Sequence, residues 1–362
     1  MKPPELHFAL IGCGRIAKNH LGPITEIQGA KLVAVCDLIP ERAEGYAQKY
    51  NVPAYINYHT MLQKENVDVV CILTPSGIHP QHTIDVISRY KKHVVVEKPM
   101  ALARDDLARM KSAADTNGVK IFPVYQNRYN KAVQKVRDDL LSGALGKPVL
   151  GTVRLRWCRP QTYYDRDAWR GTWAMDGGAL TNQGIHYIDL LLYMLGDIES
   201  VTARAATQLV DVEVEDTFVA TLKFKNGALG VIEVTTAARP DDFEASISVL
   251  AEKGTAILTG IASNQLGTYT LNPENANTYS EDFPDAYGFG HWNFFRDVIA
   301  DLKDEKPHPL SFEEGTRAIR LLNALYRSAE DSREVFLDEG VASHKLGKPD
   351  EKLAGLYITE AE

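Results

Sequence analysis

The segment that decides the fold is HFALIGCGRIAKNHLGPITEIQGAKLVAVCD, residues 7–37. His7 to Ile11 is a short apolar run, Gly12-Cys13-Gly14-Arg15-Ile16-Ala17 turns the chain, and a helical pattern continues to about Ile27. Lys31 to Cys36 forms a second apolar run, and Asp37 closes it. Strand, glycine turn, helix and a second strand ending on an acid make a parallel βαβ unit of the dinucleotide-binding kind. Gly12 permits the tight turn, Gly14 with Arg15 and Ile16 lets the backbone approach a pyrophosphate, and Ala17 lets the helix pack closely on the strand. The helix amides then face the phosphates. Asp37 would accept hydrogen bonds from the adenosine ribose hydroxyls and repel a 2′-phosphate, so the expected cofactor is NAD rather than NADP. A tight turn needs no ligand, and the glycine string alone is weak evidence; the flanking strand, helix and acid give it weight.

Outward from this unit the alternation continues. Apolar runs at Asp68 to Leu73, His93 to Val96 and Lys120 to Val124 are spaced by helical patterns, among them His79 to Arg89 and Ala103 to Thr116. Residues 1–124 therefore read as a doubly wound parallel sheet, the Rossmann arrangement, whose ligands gather at the carboxyl edge of the strands. Two strand ends supply candidates there. Thr74, Pro75, Ser76 and His79 follow one strand and are small or polar enough to line a dinucleotide; Glu97 and Lys98 follow the other. A lysine after a strand is often plain surface. The place of Lys98 beside the expected nicotinamide makes it a candidate for chemistry.

From Tyr125 the pattern changes. Asn130 to Ser142 reads as a helix and Val149 to Cys158 as a long alternating strand. Strands follow near Val201 to Ala206, Thr217 to Phe224 and Ala228 to Thr236, the last two joined by Asn226-Gly227, a hairpin signal. Ser246 to Leu250 and Thr255 to Leu258 extend the sheet, and Trp292 to Lys303 and Glu313 to Asp331 are helical. Residues 125–362 are expected to form an α+β domain with a mostly antiparallel open sheet, giving an α/β chain of two domains. Within it lies WRGTWAMDGGALTNQGIHYID, residues 169–189, a loop running into a helix. Ile185, Ile188, Leu192 and Leu195 make its apolar stripe, while Asn182, His186 and Asp189 fall at i, i+4 and i+7 on a polar one. Such a histidine is either held at the edge of the core by hydrogen bonds or serves as a proton acceptor.

Composition excludes several classes. With 362 residues, 44% of them hydrophobic, the chain is too long for a single core. Its formal net charge of -8 argues against general nucleic-acid binding. The four cysteines form no CxxC pair, so neither a disulfide framework nor a metal site is expected, and a reduced cytoplasm fits. No run approaches the ~18 apolar residues of a membrane helix, and no signal sequence is read at the start.

GCGRIAKNH, the EKP of residues 97–99 and the NQGIHYID of residues 182–189 resemble the Gfo/Idh/MocA family of oxidoreductases across nearly the whole chain. NRYN at 127–130, RPQTYYD at 159–165, WRGTWAMDGGA at 169–179 and YGFGH at 287–291 are similar, more narrowly, to its UDP-N-acetylglucosaminuronate 3-dehydrogenases of surface polysaccharide synthesis. The resemblance implies NAD-dependent oxidation of a sugar hydroxyl, with a homo-oligomer, a dimer or tetramer, formed through the open sheet. It implies that Lys98 lies between nicotinamide and the reacting carbinol, and that His186 takes the hydroxyl proton. Many members carry an Asp four residues before the histidine, where this chain has Asn182. Gln126, Trp169 and Arg170 would border the cofactor. Arg128, Lys131 and Arg159 are candidates for phosphates and a sugar carboxylate, and Tyr163, Tyr164 and Tyr287 for stacking or hydrogen bonding. Alternatives are UDP-N-acetylglucosamine, a free sugar or inositol as substrate, or a regulator that binds NAD without turnover; intact Lys98 and His186 count against the last.

Overall fold

The computed structural model describes residues 5–285 and 287–359, which fall into two compact units. Among these, the first takes residues 5–124, 291–315 and 349–359; the second takes 125–285, 287–290 and 316–348.

The first unit is built on six strands, β1 (Leu6–Ile11), β2 (Ala30–Cys36), β3 (Ala54–Tyr55), β4 (Val69–Ile72), β5 (His93–Val96) and β6 (Ile121–Pro123). They lie in the order β3-β2-β1-β4-β5-β6, every pair parallel. The order reverses between β1 and β4, which places the ligand crevice of such a sheet at their carboxyl ends. β4 is buried at every position and β5 at all but its first, as strands covered on both faces must be. The crossings are α1 (Ala17–Glu26), α2 (Pro40–Tyr50), α3 (Tyr58–Lys64), α4 (His79–Tyr90) and α5 (Arg104–Asn117).

The second unit opens with α6 (Lys131–Leu141), β7 (Pro148–Arg156), α7 (Gln161–Tyr164), α8 (Ala179–Asn182) and α9 (Ile185–Leu195). β8 (Ile198–Ala206), β9 (Thr217–Phe224), β10 (Leu229–Thr235), β11 (Glu244–Ala251), β12 (Thr255–Thr259) and β13 (Gln265–Tyr269) follow. Along the chain come next α10 (Gly290–Leu302), nearly all of it in the first unit, then α11 (Phe312–Asp331) and β14 (Val335–Phe336), and last α12 (Glu351–Ala354), again in the first unit. The sheet runs β13-β12-β11-β7-β10-β9-β8-β14, antiparallel except for the central parallel pair β7 and β10. α9 packs on the face presenting Gly151, Val153 and Leu155; a Cβ at Gly151 would meet Leu195 and Leu191. On the other face β9 and β10 alternate with exposed Val219, Leu229 and Val231.

The carboxy-terminal third does not lie wholly in the second unit. α10 buries Phe294, Phe295 and Val298, and the Phe295 ring meets Phe8 of β1 edge-on at 5.8 Å. Those apolar residues need a surface to cover, and the helix finds it on the first unit's sheet.

Within the second unit the buried end of the polar stripe, Asp189, is stabilised by charge. Arg128 grips Asp189 with a fork, Nε at 2.8 Å and Nη2 at 2.6 Å, both side chains almost wholly buried. The guanidinium also lies 4.6 Å over the Tyr193 ring. Removing one member of such a pair leaves an uncompensated charge in the core. Asp189→Ala is expected to lower unfolding free energy by about 3–5 kcal/mol in urea, and Arg128→Met/Asp189→Leu to recover most of that loss. A single-variant loss below ~1 kcal/mol would show that the pair is dispensable.

Candidate active site

The glycine turn is assembled as a dinucleotide requires. Gly12 has φ +100°, and a Cβ there would lie 2.7 Å from the Leu73 carbonyl oxygen, so only glycine lets β1 and the end of β4 close up. At Gly14 a Cβ would meet nothing, which leaves open space over the backbone. α1 starts with no side-chain cap; the Ala17 and Asn19 amides turn back onto the Gly14 and Ile16 carbonyls, at 3.1 and 2.9 Å, and tighten the helix entry. Asp37 binds the turn: Oδ2 accepts from Cys13 N–H at 2.7 Å and Oδ1 from Ile39 N–H at 2.9 Å. Each oxygen retains a further lone pair, the capacity a ribose diol needs. These residues fit NAD, and Arg15 and Ile16 remain accessible beside them.

Two residues expected at the cofactor are otherwise engaged. His79 directs Nδ1 at the Pro99 carbonyl at 2.8 Å and Nε2 at the Thr74 carbonyl at 2.7 Å. Burial pushes its pKa down, against the pull of those two acceptors. It therefore ties together the chain ends after β4 and β5 and offers no ring nitrogen to a ligand. Glu97 is buried; Oε1 lies 2.8 Å from His20 Nε2 and 3.4 Å from His291 Nε2, while Oε2 accepts from Lys98 N–H at 3.0 Å. Burial alone would raise its carboxyl, but the two histidines overcome that and hold it well below the usual carboxylate range. His20, Glu97 and His291 bring possible metal-ligating atoms within 4.8 Å of one another. A metal-bound histidine ordinarily donates its second N–H to an acceptor. His20 Nδ1 is buried with no partner among the described residues, which suits a neutral Nε2–H donor instead. Lys98, between buried Glu97 and Pro99, stays partly exposed.

The second unit gathers its own set. α8 and α9 are nearly continuous, interrupted where Gly184 N–H reaches back to the Ala179 carbonyl at 2.9 Å in a wide π-type turn. Every residue of α9 is buried except His186 and Tyr193, so the imidazole is the half-exposed polar group at its start. Asn182 donates from its amide to Asp176 Oδ1, and Asp176 Oδ2 accepts from Gly171 N–H at 2.8 Å. The first of the two tyrosines of α7 joins this neighbourhood: Tyr163 Oη accepts from Arg170 at 2.8 Å and from Gln183 at 3.3 Å. Arg170 pairs with Asp167 at 3.0 Å and lies 4.5 Å over Trp169. Arg159 pairs with half-exposed Asp242 at 2.8 Å and lies over Trp157 and Tyr163.

The remaining candidates divide. Arg128, expected at an anionic group of the substrate, is committed to Asp189. Tyr164 is buried, its hydroxyl 3.2 Å from that of Thr236, and burial pushes its pKa up to about 12, so it is a core tyrosine. Tyr287 is half-exposed with its N–H on Asp285, Lys131 is exposed, and Gln126 is buried with Oε1 lacking a partner among the described residues. Sequence reasoning passed over Asp176, although it stands beside the glycine pair, and over His20 and His291, whose meeting at Glu97 no local pattern announces.

Comparison with known proteins gives the frame for these residues. Residues 6–125 match the model of the oxidoreductase family with an NAD-binding Rossmann fold, and residues 133–257 match the GFO/IDH/MocA C-terminal domain. The crystal structure of the WlbA dehydrogenase from Bordetella pertussis, in complex with NADH and UDP-GlcNAcA, is 38% identical. The match covers 93% of this chain and 99% of that one, with a TM-score of 0.88. The Chromobacterium violaceum WlbA dehydrogenase, with the same two ligands, is 36% identical over 93% and 97% of the chains, with a TM-score of 0.86. Myo-inositol 2-dehydrogenase of Thermotoga maritima is 28% identical over 92% of this chain and 99% of its own. The glycine turn thus belongs to an NAD-dependent oxidoreductase.

Asp37 sets the expected cofactor choice. Titration should show NAD bound at least tenfold more tightly than NADP, about 1.4 kcal/mol, with Asp37→Ser narrowing the ratio. Equal dissociation constants in the parent protein would remove Asp37 from that task.

Proposed function

Because the chain belongs to the GFO/IDH/MocA oxidoreductase family, we propose that it oxidises the C3 hydroxyl of UDP-2-acetamido-2-deoxy-glucuronate to the 3-keto sugar. The observation that carries this reading is the pair of solved relatives, 36% and 38% identical across 93% of the chain, each in complex with NADH and UDP-GlcNAcA. The inositol relative stands at 28%. NAD, when bound, supplies the hydride-accepting nicotinamide. The chain must remove the proton, since an alcohol is a poor hydride donor until its O–H proton leaves. His186, half-exposed at the start of α9, is the base: a neutral imidazole is suited to that transfer near neutral pH. Lys98 steadies the developing alkoxide with its ammonium. Asn182, held by Asp176, orients the sugar or the imidazole by hydrogen bonds.

The sugar carboxylate is assigned to Arg159. Its present partner, Asp242, is half-exposed, and an ion pair open to water contributes little, so a substrate carboxylate can replace it. Trp169 and Arg170 border the cofactor, and Tyr163 and Tyr287 the substrate. The setting is sugar synthesis for surface polysaccharide in the cytoplasm; among the described residues no helix is long and apolar enough to cross a membrane. The open face of the eight-stranded sheet, with Val219 45% and Leu229 56% exposed, pairs with a second copy in a dimer or tetramer, which sedimentation would count.

Lys98→Ala and His186→Ala should each retain NADH binding while turnover falls roughly a hundredfold or more. Wild-type rates in either variant would sink the assignment, and a parent inert toward every sugar and inositol would favour a regulator. In the parent, kcat/KM should favour the uronate over UDP-N-acetylglucosamine by at least ~10-fold. Arg159→Met should collapse that ratio while hurting the neutral sugar much less. Comparable efficiency on both sugars would mean that C6 is not read.

A further inference from the structure

The Gly177–Asn182 segment hangs on two side chains far away in sequence. Glu215 Oε1 accepts from Leu180 N–H at 3.0 Å, and the Glu215 main-chain carbonyl accepts from Ala179 N–H at 3.0 Å. The Tyr326 hydroxyl accepts from Gly178 N–H at 3.3 Å and from Thr181 Oγ1 at 3.0 Å, and donates to Glu215 Oε1 at 2.9 Å. A Cβ at position 178 would fall 1.8 Å from Glu215 Oε2, so the carboxyl occupies the space that Gly178 leaves vacant. The segment so seated begins beside Asp176 and ends at Asn182, the two residues whose hydrogen bond precedes His186.

The charge state of this seat follows from its surroundings. Glu215 is buried, Oε1 already receives two donors, and Oε2 has none among the described residues. The titratable groups facing it are Asp176, of the same sign, and Tyr326. A buried carboxylate with one bare oxygen and an acidic neighbour is costly, and the inexpensive form is the neutral acid with its proton on Oε2.

We propose that Glu215, as a neutral acid, is the positioning residue that seats α8 and with it Asn182, and that loss of its proton unseats them and limits turnover on the alkaline side. The turnover part rests on the dehydrogenase reading above. Burial, against the hydrogen bonds from Leu180 and Tyr326, pushes this carboxyl up to about 7, which places the change within the working range. The sign is fixed: the folded state holds a proton that the unfolded chain has lost, so the stability it lends is full at low pH and declines as pH rises toward 7.

Three readouts on the 362-residue chain test the proposal. Infrared difference spectra should show a protonated-carboxyl band that titrates near pH 7 in the parent and is missing in Glu215→Gln. Amide exchange at Gly178, Ala179 and Leu180 should accelerate above pH 7 beyond the base-catalysed rate in the parent, and not in Glu215→Gln. With the UDP-sugar, the parent kcat should fall roughly tenfold between pH 7 and 8.5. Glu215→Gln should match the parent within about twofold at pH 6 and lack that alkaline fall, while keeping the parent's profile on the acid side. Absence of the band, or identical exchange in both proteins, overturns the neutral seat. An alkaline limb that persists in Glu215→Gln overturns its control of turnover. Should the parent oxidise no UDP-sugar, the dehydrogenase reading fails by itself, and the band and the exchange still decide the seat.

Discussion

A carboxyl group taken out of water must either be bonded as an anion or give up its charge, and this chain buries acids of both kinds where its chemistry is concentrated. Glu97 stays an anion because His20, His291 and the Lys98 N–H all turn donors toward it. Asp189 has the Arg128 fork. Asp176 binds the Gly171 amide and the Asn182 side chain. Glu215, with one oxygen bare, takes the other course. Glu97 holds the Lys98 amide in one unit, while Asp176 and Glu215 hold the segment that leads through Asn182 to His186 in the other.

The arrangement separates rigidity from reactivity. Lys98 remains partly exposed while the residues on either side are buried, Glu97 by its histidines and Pro99 with its carbonyl on His79. His186 is half-exposed at the head of a helix otherwise buried save for Tyr193. Both side chains are left open to water beside neighbours fixed by burial, so the local geometry is held while these two groups stay accessible. At position 182 the side-chain amide is held by the carboxyl of Asp176 through a hydrogen bond.

The sequence by itself determined whatever depends on neighbours along the chain. The glycine turn, the strands around it and Asp37 were legible because apolar periodicity and turn chemistry act over a few residues. α2 and β3 went unread: α2 buries only Ala43 and Ala47 of its 11 residues, too few to make an apolar stripe, and β3 has two residues. NAD-dependent oxidoreductase chemistry was legible as well, through motifs that keep their spacing. Tertiary structure alone decided which polar groups meet. Arg128 and Asp189 are 61 residues apart, Glu97 and His291 194 apart, and Glu215 and Tyr326 111 apart. Nothing in periodicity tells a fork aimed at a substrate from one aimed at a core aspartate, since both need the same guanidinium. The parallel pairing of β7 with β10 and the return of α10 to the first unit are likewise matters of which buried surface was left to cover. Burial is a property of the folded whole, and it fixes the partner and the charge that each buried acid can have.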